Sequence, residues 1–186
     1  MLFMTPRAIT VRLAEPRDAQ AIAMMSRDLI EAGLGWKYDA ARVLRAIRDR
    51  DTLAVVACEG GKAASSSGSR ALAGFAIMEL GDERAHLVLL AVRPSHRRLG
   101  IGQRLLEWLL ESARVAGMAS IHLELRSANE AARRFYRAMG FYETVLVPGY
   151  YRSGEGRKEG ALRMLRVLRA PGPVPYTWRP PRTEDT

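Results

Sequence analysis

The run ITVRLAE (Ile9–Glu15) alternates apolar and polar positions, a period of two that predicts a first strand. Behind Asp18, a residue suited to a helix start, Ile22, Met25, Leu29 and Ile30 recur at helical spacing. A second helix is predicted over Ala40–Arg50, set apart by the glycine-broken EAGLGWKYD. TLAVVACE and LAGFAIMEL read as strands, and the GGKAASSSGSR between them has the Gly/Ser composition of a flexible hairpin loop.

Ala85–Val92 (AHLVLLAV) is almost unbroken apolar sequence, the pattern of a strand covered on both faces, and Pro94 ends it. From Gly102 a helix follows, with Leu105, Leu106, Leu109, Leu110 and Ala113 on one stripe and Gly117 as its closing glycine. SIHLELR (Ser120–Arg126) alternates again. Ser127 with Glu130 three residues on has the form of a capping box, opening the helix EAARRFYRAMG. FYETVLV and ALRMLRVL are the closing strands. From Ala170 the chain is proline-rich and no regular structure is expected. One domain over residues 1–169 and a tail over 170–186 follow. Strand, two helices, three strands, helix, strand, helix, two strands make an α/β chain with a mixed sheet and helices on both faces.

Composition changes this picture little. The chain has 186 residues, enough for one sizeable core, and 48% hydrophobic and 26% charged residues, as in ordinary soluble domains. Cys58 is its single cysteine, so no internal disulfide is possible and a reducing, cytoplasmic setting is expected. The N-terminal MLFMTPRAITVRLAEP lacks the basic start and apolar run of a signal peptide, and no membrane-spanning run is present. A net charge of +9 favours an anionic ligand. The arginines are scattered and form no nucleic-acid motif, so specific nucleic-acid binding is not expected.

The chemistry concentrates at RRLGIGQRLLEWLLE (Arg97–Glu111), where two glycines and two arginines sit between a strand and a helix. Unpaired N–H groups and the positive dipole end make a helix start attractive to phosphate, and glycines let the backbone close around it. The turn is no Walker loop, since no Gly-Lys-Ser/Thr ends it, and it lacks the third glycine of a dinucleotide fingerprint.

The segment resembles the acetyl-coenzyme-A-binding segment of the GNAT superfamily of N-acetyltransferases, whose hallmark is (Q/R)xxGx(G/A). LELRSANEAARRFYRAMGF is similar to the family's second segment. The resemblance implies a GNAT fold, a mixed central sheet of about seven strands flanked by about four helices. It also implies acetyl-CoA as co-substrate, bound by Arg97, Arg98, Leu99, Gly100, Ile101, Gly102 and Gln103, by the backbone of Leu90, Ala91 and Val92, and by Asn129.

Within the superfamily the chain looks most like the RimI-type group, which acetylates the N-terminal amine of a ribosomal protein. Glu124, Asn129, Tyr136 and the pair Tyr150–Tyr151 match that group's Glu, Asn, Tyr and Tyr-Tyr positions. Trp36 corresponds to its tryptophan, although the phenylalanine-proline pair before it is missing. A protein N-terminus as acceptor, with association with the ribosome, is what the resemblance implies. Trp36, Tyr150 and Tyr151 would then wall the substrate groove.

Acetyl transfer to an amine needs a neutral amine, a polarised carbonyl and a proton for the departing thiolate. An α-amine is mostly protonated near neutrality, and Glu124 is the candidate base, directly or through water. Its plainer reading is a strand carboxylate paired with Arg126. Tyr136 is the candidate acid, and its plainer reading is a core tyrosine in the stripe Ala132, Phe135, Tyr136, Met139. Asn129 could equally be a first-turn residue, and Tyr150 and Tyr151 strand-edge aromatics. His86 and His96 share no ligand spacing with other His or Cys residues, so no metal is expected. The alternatives are a small-amine acetyltransferase, a non-catalytic acetyl-CoA-binding module, and, on charge alone, a nucleic-acid-binding module.

Overall fold

A computed structural model of the chain describes residues 8–33, 36–60, 72–152 and 158–169. In order these form β1 (Ala8–Leu13), α1 (Ala19–Leu29), α2 (Ala40–Arg48), β2 (Thr52–Gly60), β3 (Leu72–Leu80) and β4 (Arg84–Val92). α3 (Ile101–Val115), β5 (Ser120–Arg126), α4 (Glu130–Ala138), β6 (Tyr142–Arg152) and β7 (Lys158–Val167) complete it. The sheet runs β1-β2-β3-β4-β5-β7-β6. All neighbours are antiparallel except β4 and β5, which α3 joins as a parallel crossover. This is the mixed seven-stranded sheet with four helices that the resemblance implied. Residues 61–70 of the Gly/Ser-rich segment and the tail from Ala170 lie outside the described residues.

One buried cluster fills each face of the sheet. α3 supplies Leu105, Leu106, Leu109, Leu110 and Ala113 to one, the stripe read from the sequence. α1 and α2 supply Ile22, Met25 and Val43 to the other. α3 comes close enough to β3 only because residue 74 is glycine. A Cβ there would lie 2.9 Å from the Ala91 carbonyl oxygen, 3.1 Å from Leu105 and 3.3 Å from Ile101.

β4 departs from the expectation of burial on both faces. Ala85, Leu87, Leu89 and Ala91 are buried, while the even positions His86 to Val92 are only half-buried. A bulge sends the buried positions to one core and then to the other. Ile77 faces Leu89 and Met78 faces Leu87, which leaves Val88 as the extra residue. Before it, Ala85 and Leu87 join the α3 core; beyond it, Leu89 and Ala91 join the α1–α2 core.

Two of the expected caps are replaced. Asp18 precedes α1, but its carboxylate does not cap it. It accepts the Glu15 N–H at 2.8 Å and two bonds from Arg12 at 2.7 and 3.0 Å. Burial raises the proton affinity of Asp18, and the Arg12 and Glu15 donors more than offset this, so its pKa is lowered. At α4 the cap is Asn129, whose side-chain oxygen accepts the Ala132 N–H at 3.1 Å, and not Ser127. The Ser127 N–H is taken by the Gly160 carbonyl of β7, which draws residue 127 into the sheet edge and moves the helix start on. α2 ends at Arg48, two residues earlier than expected, where Asp49 turns to an extended conformation. Gly117 closes α3 at φ +78° as expected.

Candidate active site

β4 and β5 pair only from Arg84–His86 against Ser120–His122, and beyond these three rungs the parallel strands part. The gap is a cleft of about 200 Å³ whose walls include Leu87 to Leu90 of β4, Leu123 to Arg126 of β5, and Asn129 and Tyr136 from α4. The ends of α1, Leu29 and Ile30, close one side. A larger groove of about 670 Å³ between α3 and the end of α4 is lined by Glu107, Glu111, Arg114 and Arg166. Gln103 of the expected phosphate turn also borders it, but neither Glu124 nor Tyr136 does.

Glu124 points from β5 on the face opposite α3, because Ile121, Leu123 and Leu125 fill the α3 core. Its carboxylate is held at both oxygens: His86 Nε2 lies 2.8 Å from Oε2, and Arg163 Nε donates to Oε1 at 2.8 Å. The partner is therefore Arg163 and not Arg126. Arg163 stands directly across from Glu124 in the β5–β7 register, whereas Arg126, two residues along, pairs with Glu159 at 3.0 Å. The His86 bond, and to a lesser degree Arg163, outweigh the cost of burial and draw the Glu124 pKa down to about 2.

His86 in turn stacks on His122, the last rung of the β4–β5 ladder, with ring centroids 4.5 Å apart and planes 2° from parallel. Burial, and then the proximity of His86, lower the His122 pKa. His86, His122 and Glu124 bring nitrogen and oxygen atoms within 4.8 Å of one another, a grouping that spacing along the chain could not reveal. The carboxylate is already shared between Arg163 and His86, so a dication would have to enter beside a fixed guanidinium.

Tyr136 is buried on α4, edge-on to Phe135 and Phe141, and its hydroxyl has no hydrogen bond to another described residue. Burial pushes the phenol above its ordinary value, which keeps it protonated. Tyr136 is therefore both a core tyrosine and a wall of the cleft that Glu124 enters.

At the other end of β4 the backbone turns over Arg97–Gly100 into α3. Arg98 and Gly100 both take positive φ, 65° and 74°. No side chain caps the helix, and its first internal acceptor is the Gly100 carbonyl, which takes the Arg104 N–H at 3.0 Å. The N–H groups of Ile101, Gly102 and Gln103 thus have no backbone acceptor among the described residues. Arg97, Arg98 and Leu99 are exposed beside them. A Cβ at Gly100 would meet nothing within 4 Å, so the space above the turn is open to a phosphate.

The other expected substrate residues are more scattered. Trp36 is 44% exposed, donates from Nε1 to the Tyr38 carbonyl at 3.1 Å and lies under Arg27, outside the cleft lining. Tyr150 is half-exposed on β6, also outside that lining, and Tyr151 pairs with Glu159 through the β6–β7 ladder. His86 and Arg163 were missed by sequence reasoning. The signal for Arg163 was the alternation of ALRMLRVL, and for His86 a lone polar residue in an apolar strand.

Fold and site define a class. The acetyltransferase (GNAT) family model matches residues 22–141, and the chain belongs to that family. Among curated proteins it is similar to the ribosomal protein bS18-alanine N-acetyltransferase of Escherichia coli K12, 34% identical over 96 residues. That match spans 52% of this chain and 65% of the relative. The crystal structure of the Escherichia coli ribosomal-protein-S18-alanine N-acetyltransferase superposes with a TM-score of 0.71 at 26% identity, covering 91% of this chain and 99% of that one. Ard1 of Thermoplasma volcanium gives a TM-score of 0.70 at 26% identity, over 88% and 99% of the two chains. Arabidopsis thaliana NAA60, at 16% identity and a TM-score of 0.74 over 87% and 100%, shares the fold. No helix among the described residues is long and apolar enough to cross a membrane.

Proposed function

We propose that the protein is an acetyl-CoA-dependent N-acetyltransferase whose acceptor is the N-terminal α-amine of a protein, a ribosomal protein in the first instance. The observation that carries this is the cleft where β4 and β5 part, because it gathers Glu124 and Tyr136 along the strand whose far end leads into an uncapped helix start. The similarity to enzymes named for the alanine N-terminus of bS18 supports the acceptor and an encounter with the ribosome or its free protein.

In the reaction the acetyl carbon leaves the thioester sulfur as it bonds to the amine nitrogen. The free N–H groups of Ile101, Gly102 and Gln103, with Arg97 and Arg98, hold the pyrophosphate. The unpaired β4 edge at Leu90, Ala91 and Val92 offers amides to the pantetheine arm and an N–H to the carbonyl oxygen. Asn129, already spent on capping α4, borders the cleft and contacts the coenzyme there.

Glu124 serves as base late in the reaction. With a pKa of about 2 it cannot strip an ammonium whose reference value is about 8. Once the nitrogen lone pair has begun to bond to carbon, the N–H becomes far more acidic, and a weak base within reach suffices. The acceptor therefore reacts from its neutral fraction. Tyr136, protonated because it is buried, gives its proton to the departing thiolate. Trp36 and Tyr150 lie outside the cleft lining, and with Tyr151 they are the residues that would wall the groove for a peptide acceptor.

Peptides with a free or a blocked N-terminus, both carrying lysines, test this with thiol release as readout. The free peptide is expected to be acetylated and the blocked one not. Comparable turnover of the blocked peptide or of spermidine would replace the proposal with the small-amine reading.

A further inference from the structure

The roles given to Glu124 leave its two partners unexplained. One is permanently charged: Arg163 balances the carboxylate at all relevant pH. The other is a histidine, the side-chain type whose charge changes between pH 5 and 8. With His86 neutral, Glu124, Arg163 and His86 sum to no net charge; with His86 protonated, the group is a cation at the mouth of the acceptor cleft. The N–H⁺ that develops as nitrogen bonds to carbon is a positive charge beside Glu124, and the lone pair of the arriving neutral amine is directed by the same field.

We propose that His86 is a positioning residue of the acceptor site, holding Glu124 by its Nε2 and, through its own charge, deciding whether the site receives an amine.

The surroundings suit such a role. His86 is held in place by stacking on His122, with ring centroids 4.5 Å apart and planes 2° from parallel. Glu79 of β3 stands opposite His86 in the β3–β4 register and Arg163 of β7 opposite Glu124; Tyr38, whose proton affinity responds to Glu79, lies over the same face. The His86 side chain is 34% exposed, so a proton can reach it from solvent while Glu124, 9% exposed, faces the cleft. Glu124 is held well below the usual carboxylate range and stays ionised there, so a change of charge at this carboxylate has to come from its neighbours.

The inference rests on Glu124 lying on the acceptor side, and not on the acceptor being a peptide. The test is kcat/KM for the acceptor between pH 5 and 8, at saturating acetyl-CoA, for the unaltered protein and for His86→Asn, which keeps a donor toward Glu124 but cannot titrate. Both should lose activity toward acid as the amine becomes protonated. The unaltered protein should fall about tenfold further, the effect of one unit charge at a part-exposed site, with KM for acetyl-CoA unchanged in both. Superimposable profiles would overturn the proposal.

A second measurement needs no variant. The His86 ring nitrogens are titrated by NMR with coenzyme A bound, with and without acceptor. Linkage requires the acceptor to lower the midpoint by the factor by which a protonated His86 weakens acceptor binding, and an unmoved midpoint overturns the proposal. If only a small amine is acetylated, the N-terminal reading fails, and the same comparison on that amine still decides the role of His86.

Discussion

Gly74 gives the sharpest test of how the fold holds the site. Replacing it with alanine puts a methyl group 2.9 Å from the Ala91 carbonyl oxygen, a contact real Cβ atoms do not make, and within 3.3 Å of Leu105 and Ile101. The oxygen belongs to a strand and cannot swing aside, and both side chains are buried, so β4 and the start of α3 must separate by about half an ångström. Overpacking of this kind costs about 1–3 kcal/mol. In a chain of this size each kcal/mol lowers the melting temperature by about 2–4 °C. The displaced parts are the β4 edge and the helix start proposed to hold acetyl-CoA, so affinity should fall together with stability. Gly102→Ala is the control: its Cβ would meet Phe135 at 3.5 Å and Val92 at 3.7 Å, ordinary contacts, and alanine favours the helix by up to about 1 kcal/mol. Urea denaturation and calorimetric titration with acetyl-CoA on both variants decide the matter. A Gly74→Ala protein as stable as its parent would refute the close-packing argument.

Gly100→Asp should lower acetyl-CoA affinity at least tenfold with the fold intact, because a carboxylate enters the open space above the turn; calorimetry reads this, and unchanged affinity would sink the phosphate role. Glu124→Gln should lower activity by about 100-fold or more, by a factor that amine protonation does not change because the acceptor reacts from its neutral fraction in both proteins, and Tyr136→Phe should show a loss that high pH does not repair; near-full activity of either variant in pH–rate profiles would count against its role. Tyr136→Phe should leave stability nearly unchanged, since the hydroxyl it removes has no hydrogen-bond partner among the described residues, as thermal melts will show. The Glu124 pKa is depressed on folding, so its stabilisation is complete above about pH 4.5 and is lost as pH falls toward about 2. Denaturation curves of Glu124→Gln should therefore converge on those of the parent between about pH 4.5 and 2.

Much of the fold was legible because its periodicities are clean. The α3 stripe and the alternation of Ser120–Arg126 each state which side is core, and both faces came out as read. Caps were less legible, since Asp18, Ser127 and Asn129 are all competent cap residues and only tertiary neighbours decide which one serves. Arg12 claimed Asp18, and the β7 carbonyl at Gly160 claimed the Ser127 N–H. The site was half visible for a similar reason. Glu124 and Tyr136 stand in one contiguous motif, but the groups that set the state of Glu124 lie 38 and 39 residues away, on strands that only the sheet order makes neighbours.

The bulge at Val88 reverses the parity of β4 partway along its length. Downstream of it, each residue's face is fixed by counting, not by its own chemistry. Without Val88, Leu87 and Leu89 would be immediate neighbours and would point to opposite faces by the ordinary pleat, so the extra residue is what lets two odd-numbered positions serve opposite cores. Side chains along the strand can be exchanged for others of similar size one at a time. The number of residues between Leu89 and the turn at Arg97 cannot, because losing one would pull the turn a place along the strand, and this part should tolerate substitution far better than deletion.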